Sequence, residues 1–343
     1  MTFNIIYTPN SVNYLLHFIP SLLNCSPYNF CLVSNGCSPR ERAILKKTVS
    51  QDKRLSYHCY PTNRMQIHGK VLTYLQSRCQ EEYFCLMDSD IFATSPFKNL
   101  EKIMEKRNLT GLFSAMPIWV KESEYIFQST FKSMVGTFNH TKKDICIGST
   151  YFAIYNNDHL NQIIQHYGVC FDECSYLTLP KDIQNKLNRL GFPLLSFDTG
   201  KVINLFLNEH KFQLKNIKIP ALYHIGGTSY ETNYQKQSLN WKRKILQMVQ
   251  QTTLKKVLDK RRDYYFNKRF KGYTKEEIQI NYNQRILHRN PTRQHFLKLY
   301  LALANQQPLP PPPVFADIEI TNNVAITHNL YIENFQKYHK SNQ

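Results

Sequence analysis

The chain has 343 residues, 42% of them hydrophobic and 13% aromatic, and carries 43 Lys+Arg against 25 Asp+Glu, a formal net charge of +18. Such a composition excludes a disordered chain, allows one large domain or two, and asks for an anionic partner or surface. The sequence has no run of 18 apolar residues and no basic leader before the first apolar segment, and its nine cysteines form no CxxC pair, so a cytosolic chain with reduced thiols is expected.

Phe3–Thr8 is a short apolar run closed by Pro9-Asn10 and reads as the first strand. Ser11 then precedes apolar residues at helical spacing, with Ser11 as the expected cap. Asn29–Ser34 reads as the second strand, Pro39–Val49 as a basic helix and Arg54–Tyr60 as the third strand. A helix is expected over Asn63–Cys79, with Met65, Ile67, Val71, Leu72 and Leu75 on its apolar face. Tyr83–Met87 is the fourth strand, a continuous apolar run of the kind buried in a parallel sheet. Strands alternating with helices predict an α/β fold with a mostly parallel sheet, ligands sitting at the C-terminal strand ends.

Beyond residue 97 the alternation loosens. Asn99–Arg107 reads as a helix, Thr110–Trp119 as an interrupted strand, and Lys121–Lys143 as irregular. Asp144–Tyr155 reads as a strand, and Asn157–Tyr167 and Pro180–Leu190 as helices. Lys201–Leu207 and Lys218–Leu222 are short apolar segments. From Lys242 to Lys298 there are 16 Lys+Arg and four acids, an excess of 12 that makes two thirds of the net charge. Aromatic residues are interleaved there, and such a mixture suits an interfacial helix at an anionic membrane surface. Gln306–Pro313 is a polyproline linker or brace, followed by a polar tail with a strand at Ile318–Ile320 and a short final helix.

The chemistry is concentrated at Asp88-Ser89-Asp90, where the fourth strand ends. A D-x-D triplet alone arises by chance in about one chain in three of this composition, and Asp and Ser also suit a plain turn. Its place after an apolar strand, in the alternating half of the chain, is what singles it out. Two carboxylates are costly to bury without a cation, and hard oxygen donors suit Mg²⁺ or Mn²⁺ shared with substrate phosphates.

With these motifs in view, residues 1 to about 230 resemble the GT-A-type, nucleotide-sugar-dependent glycosyltransferases. The resemblance lies in Lys70 within HGKVLTYLQSRCQEEYFCLMDSDIF, in DSD at 88–90, in the Gly148-Ser149-Thr150 segment, in KDIQNKLNRLGF at 181–192, and in HIGG at 224–227. It implies a GT-A-like, Rossmann-like sheet and a metal held by Asp90, by Asp88 and by His224. A nucleoside-diphosphate sugar, UDP-sugar favoured, would lie along Thr8, Asn10, Asn35, Arg64, Lys70, Asp88, Ser89, Gly148, Ser149, Gly226 and Gly227. An inverting enzyme would need a base; Asp182, at the start of a helix, is the first choice, with Asp172 and Glu173 as rivals. Lys181 stands where the family has its acidic partner, which is a departure from the pattern.

The organisation implied is a catalytic domain over 1–235, with a nucleotide half (1–97) and an acceptor half (98–235). A basic helical extension (236–305) and a Pro-rich linker with C-terminal tail (306–343) follow. The acceptor would be a hydroxyl of a glycan or a lipid-linked saccharide, met at the inner face of a membrane. Self-association is left open, and no nucleic-acid partner is expected. Two other readings compete with this one. A nucleic-acid-binding protein could use the basic stretch, but no recognised motif accompanies it. A nucleotidyltransferase would carry a Gly-rich loop after the first strand, and Thr8–Asn13 has no glycine.

Overall fold

The computed structural model describes residues 1–114, 117–120, 126–127, 133–134, 138–228 and 287–340. Its strands are Thr2–Tyr7 (β1), Asn29–Ser34 (β2), Leu55–Cys59 (β3), Tyr83–Asp88 (β4), Ile91–Ala93 (β5), Gly111–Phe113 (β6) and Ile126–Phe127 (β7). Ser133–Met134 (β8), His140–Thr141 (β9), Phe152–Asn156 (β10), Cys174–Ser175 (β11), Ser196–Phe197 (β12), Leu214–Asn216 (β13) and Leu222–His224 (β14) follow. The helices are Val12–Leu15 (α1), Ile19–Cys25 (α2), Pro39–Val49 (α3), His68–Gln76 (α4), Leu100–Lys106 (α5), Asn157–Tyr167 (α6), Lys181–Arg189 (α7), Lys201–Glu209 (α8), Asn290–Ala304 (α9) and Ile318–Lys340 (α10).

Seven strands form one sheet in the order β13-β6-β10-β4-β1-β2-β3. β1 pairs in parallel with both β2 and β4, while β10 runs antiparallel between β4 and β6. The fold is therefore the expected α/β one, a mostly parallel sheet flanked by helices. The chain winds from β1 outward to β3, then returns to place β4 on the other side of β1. Ligands of open α/β sheets bind in the crevice at such a reversal. Asp88, opposite Ile6 of β1, ends β4 at that crevice.

Alternation along the strands splits the core into two layers. Phe3, Ile5, Tyr7, Cys85 and Met87 face one layer, which also takes residues of α1, α2, α5, α9 and α10. Phe84 and Leu86 face the other, built on α4, α6, α7 and α8. The C-terminal helices belong to the first layer. Tyr331 is fully buried and donates its hydroxyl to the Tyr14 carbonyl at 3.2 Å.

Several expected elements are corrected. The helix expected over Asn63–Cys79 starts only at His68. The Asn35 amide donates to Gln66 O and accepts from Gln66 N, both at 2.9 Å, and so ties this backbone to the end of β2 instead of to a helix. Met65 and Ile67 are accordingly exposed. The strand expected over Asp144–Tyr155 begins at Phe152. Asp144 and Gly148 have positive φ, and Lys201 and Asn204 take the Ile147 carbonyl that a strand partner would use. Among the described residues of Thr110–Trp119, the strand is confined to Gly111–Phe113. Ile318–Ile320 is not strand but the first turn of α10, where the Asp317 carboxylate accepts from Glu319 N and Ile320 N. The burial of Ile320, Val324, Thr327, His328, Tyr331 and Phe335 follows helical spacing over that 23-residue element. Ser11 is also not a side-chain cap; its hydroxyl closes the preceding turn through Thr8.

Of the basic stretch 242–298, residues 242–286 lie outside the described residues. Among the described residues, no helix is long and apolar enough to cross a membrane.

Candidate metal centre

The site is assembled by pairing two segments far apart in sequence. β5 follows Asp90 directly and runs antiparallel to β14, with Ile91 opposite His224. Ile225 N donates to the Asp90 carbonyl at 3.1 Å, which extends that ladder past its end. His224 is thereby fixed against the two carboxylates. Its Nε2 lies 3.0 Å from Asp90 Oδ1 and 3.4 Å from Asp88 Oδ2.

Asp90 is 4% exposed and His224 3%, whereas Asp88 is open to solvent over about a third of its side chain (32%). The other Asp90 oxygen is held from behind. Oδ2 accepts from Gly226 N (3.0 Å), Thr228 N (3.3 Å) and Thr228 Oγ1 (2.9 Å). Tyr151 backs the imidazole, with ring centroids 4.6 Å apart, and its carbonyl accepts from Asp88 N at 2.7 Å. Trp119 Nε1 donates to the Ile225 carbonyl at 2.8 Å and fixes the loop that follows.

Burial disfavours the imidazolium of His224, but the Asp90 carboxylate, with Asp88 behind it, outweighs this and raises its pKa to about 9. Burial likewise works against the Asp90 charge, and His224 and Thr228 overcome it, holding that carboxyl below its usual range.

The residues fit a divalent metal. One donor atom from each of Asp88, Asp90 and His224 lies within 4.8 Å of the others. Although Nε2 stands close to both carboxylates, neither ring nitrogen has a partner of hydrogen-bond geometry among the described residues. A buried imidazole between two carboxylates, aimed at both but aligned with neither, has the disposition of a ligand. Two hard oxygens and one nitrogen at a strand end suit an ion such as Mn²⁺ or Mg²⁺ that also takes substrate oxygens.

The remaining expected residues fall into three groups. Asn10 and Gly36 line a depression of about 270 Å³ with Cys37, Ser38, Glu41, Arg42 and Asn63. Thr8, with its Oγ1 buried and unpartnered, follows β1 directly. Arg64 lies over Gly36, whose absent Cβ would meet the Arg64–Met65 backbone at 2.2–2.7 Å. Asn35 is 1% exposed and its amide is engaged with Gln66. Lys70, exposed on the first turn of α4, is next to Gly69, which touches the Asp172 backbone. Asp172 Oδ1 is buried without a hydrogen-bond partner, while Glu173 and Asp182 are exposed.

The third group concerns the glycines and Ser149. Gly226 and Gly227 have positive φ, and a Cβ on Gly226 would strike Trp119 Nε1 at 2.8 Å. Gly148 packs on the Phe113 ring, Ser149 donates to Asn139 Oδ1 at 3.2 Å, and both meet Lys201. Ser89, half-buried, forms the turn between the two aspartates.

Thr228, Tyr151, Trp119 and Lys201 were not anticipated from the sequence. Lys201 alone left a signal: a lysine opening the mostly apolar run Lys201–Leu207.

No protein-family model and no curated protein matches the chain. Among solved structures it is similar to the mannosyltransferase PcManGT from Pyrobaculum calidifontis in complex with GDP-Man and Mn²⁺, at 8% identity and a TM-score of 0.41, over 98% of this chain and 82% of that one. It is also similar to S. aureus TarS, at 13% identity and a TM-score of 0.40, over 98% of this chain and 54% of that one. A putative glucose-1-phosphate thymidylyltransferase from Bacillus anthracis in complex with a sucrose matches at 9% identity and a TM-score of 0.39, over 70% of this chain and 95% of that one. The functional reading therefore rests on the Asp88–Asp90–His224 centre and its place at the sheet reversal.

Proposed function

We propose that this chain is a metal-dependent glycosyltransferase that moves a sugar from a nucleoside-diphosphate sugar to a hydroxyl of a glycan or lipid-linked acceptor. The observation that carries this reading is the Asp88–Asp90–His224 centre, with donor atoms within 4.8 Å of one another at the C-terminal end of β4. A departing nucleoside diphosphate gains negative charge as the sugar leaves, and a divalent ion there would neutralise it. Asp90 and His224 would hold the ion, with Asp88, the more exposed carboxylate, facing the incoming diphosphate. The depression beside Asn10 and Gly36 supports a place for the base and ribose. UDP is the first nucleotide to test. For an inverting reaction Asp172 is favoured over Asp182 and Glu173 as the base, because its Oδ1 is buried without a hydrogen-bond partner.

Thermal shift with Mn²⁺ and a panel of nucleoside diphosphates, followed by sugar transfer from the matching donor, tests the assignment. A ligand that binds only the folded state raises the melting temperature by mass action. A Mn²⁺-dependent rise with one nucleoside diphosphate is expected, and no response to any of them would end this reading.

Metal binding carries its own pH signature. His224 holds a proton up to about pH 9 in the metal-free protein. Coordination must displace that proton, so Mn²⁺ affinity should rise about tenfold per pH unit from roughly pH 6 to pH 8. Calorimetry in two buffers of different ionisation enthalpy should report the release of about one proton. An affinity independent of pH would remove His224 from the ligand set.

A further inference from the structure

One short segment, 224–228, carries a metal ligand at one end and the support of another ligand at the other. His224 Nε2 stands 3.0 Å from Asp90 Oδ1. Thr228, 2% exposed, meets the second oxygen of the same carboxylate, with Oγ1 at 2.9 Å and N at 3.3 Å from Oδ2. Gly226 N adds a third donor to Oδ2 at 3.0 Å. The convergence depends on the two glycines between. Gly226 at φ +85° and Gly227 at φ +76° turn the chain back towards Asp90, and the amides of such a turn form a nest for an anionic oxygen. The segment is itself pinned, since Ile118 N donates to the His224 carbonyl at 3.0 Å and Trp119 Nε1 to that of Ile225 at 2.8 Å.

Three donors on Oδ2 leave it no free lone pair, because a carboxylate oxygen has two. Oδ1, on the side of His224 and Asp88, is the oxygen turned into the centre. Ca²⁺ accepts six to eight oxygens in flexible geometry and often takes a carboxylate through both of its oxygens. A smaller, octahedral ion needs single oxygens in fixed places. Groups behind a ligating carboxylate set its orientation, and their loss weakens the metal although they never touch it.

We infer that Thr228 is a positioning residue of the metal centre: its hydroxyl occupies Oδ2 and turns the Asp90 carboxylate so that Oδ1 alone is offered to the ion. The centre thereby favours a small octahedral ion over Ca²⁺. This rests on the metal centre of the proposed function and deepens it.

The test titrates the full-length wild type, Thr228→Val and Thr228→Ser with Mn²⁺ alone, and with Ca²⁺ in competition, by calorimetry at one pH. Valine keeps the shape of threonine and lacks the hydroxyl, whereas serine keeps the hydroxyl. In Thr228→Val the Mn²⁺ affinity is expected to fall about 10- to 100-fold, the usual cost of losing a group behind a ligand. Ca²⁺ affinity should change by less than about threefold, because a carboxylate released from Thr228 can offer both oxygens. Thr228→Ser should stay within about threefold of wild type for both ions. Unchanged Mn²⁺ affinity in Thr228→Val would overturn the inference, as would a wild type that prefers Ca²⁺ to Mn²⁺. Equal losses for both ions with a lowered melting temperature would make Thr228 a brace for the loop and would also overturn it. A serine variant as weak as the valine one would assign the effect to the methyl group and have the same result. A wild type that binds Mn²⁺ but no nucleoside diphosphate would remove the proposed function and leave this inference standing, and one that binds no Mn²⁺ would remove both.

Discussion

Asp90→Asn is expected to abolish metal-dependent turnover, by about 10³-fold or more, while leaving the protein folded. Asparagine has the shape of aspartate and keeps an oxygen for the Gly226 and Thr228 donors, so the backing of the site survives. It lacks the charge that holds His224 in place and that a divalent ion would require. Removal of a single group aimed at developing charge typically costs 10²–10³-fold, and loss of a ligand should reach at least the upper end. Asp90→Ala is a poorer test. It would strand Gly226 N, Thr228 and a buried histidine together, and leaving a buried charge uncompensated costs roughly 3–5 kcal/mol. The measurement is turnover against Mn²⁺ concentration, with the melting temperature as control. Activity of Asp90→Asn that is close to wild type and still metal-dependent would exclude Asp90 as a ligand.

The centre was largely legible in the sequence, for a local reason. Asp88 and Asp90 end an apolar strand, and a strand end of a parallel sheet is a place that can be found without knowing the fold. His224 was marked by the two glycines that follow it. Local signals also set the bounds of Asn29–Ser34, Pro39–Val49 and Asn157–Tyr167, all of which the structure reproduces. In α3 the capping box of Ser38 and Glu41 surrounds Pro39, and α6 runs from the Asn156 cap to Gly168 at φ +61°. What escaped was decided by partners distant in sequence. Residues 63–67 have helical spacing, yet Asn35 engages the Gln66 backbone and they stay outside the helix. Ile318–Ile320 alternates like a strand, but the apolar face of α10 has a core to meet only once α1 and α2 are in place. Thr228, Trp119 and Tyr151 matter through bonds to Asp90, Ile225 and Asp88, and nothing in their immediate neighbours marks them.

Lys201 is the clearest case of such a partner, and it yields the second large effect. The side chain is 1% exposed and opens α8 within a mostly apolar run. Its Nζ donates to Phe138 O at 2.7 Å and to Gly148 O, with Ser149 Oγ at 3.3 Å and Ile147 O at 3.4 Å. These acceptors tie together the segment that leads into Tyr151, the residue behind His224. Lys201→Met keeps the length of the stem and leaves the Phe138 and Gly148 carbonyls without that donor. Each orphaned buried acceptor costs about 1–3 kcal/mol, so a loss of roughly 4 kcal/mol is expected. Burial lowers the Lys201 pKa to about 8, against the pull of Asp198 and Cys146. The folded state therefore releases this proton near pH 8, whereas the unfolded chain keeps it to its ordinary value of 10.5. Between those limits the unfolded state binds more protons, so this group makes stability rise with pH. Lys201→Met should remove that rise as well as lower stability at neutral pH. Urea unfolding of both proteins across this range measures the two effects together. A variant as stable as wild type at neutral pH would show that the three-carbonyl cage holds nothing in place, and Mn²⁺ affinity unchanged in a destabilised variant would confine its role to the fold and away from His224.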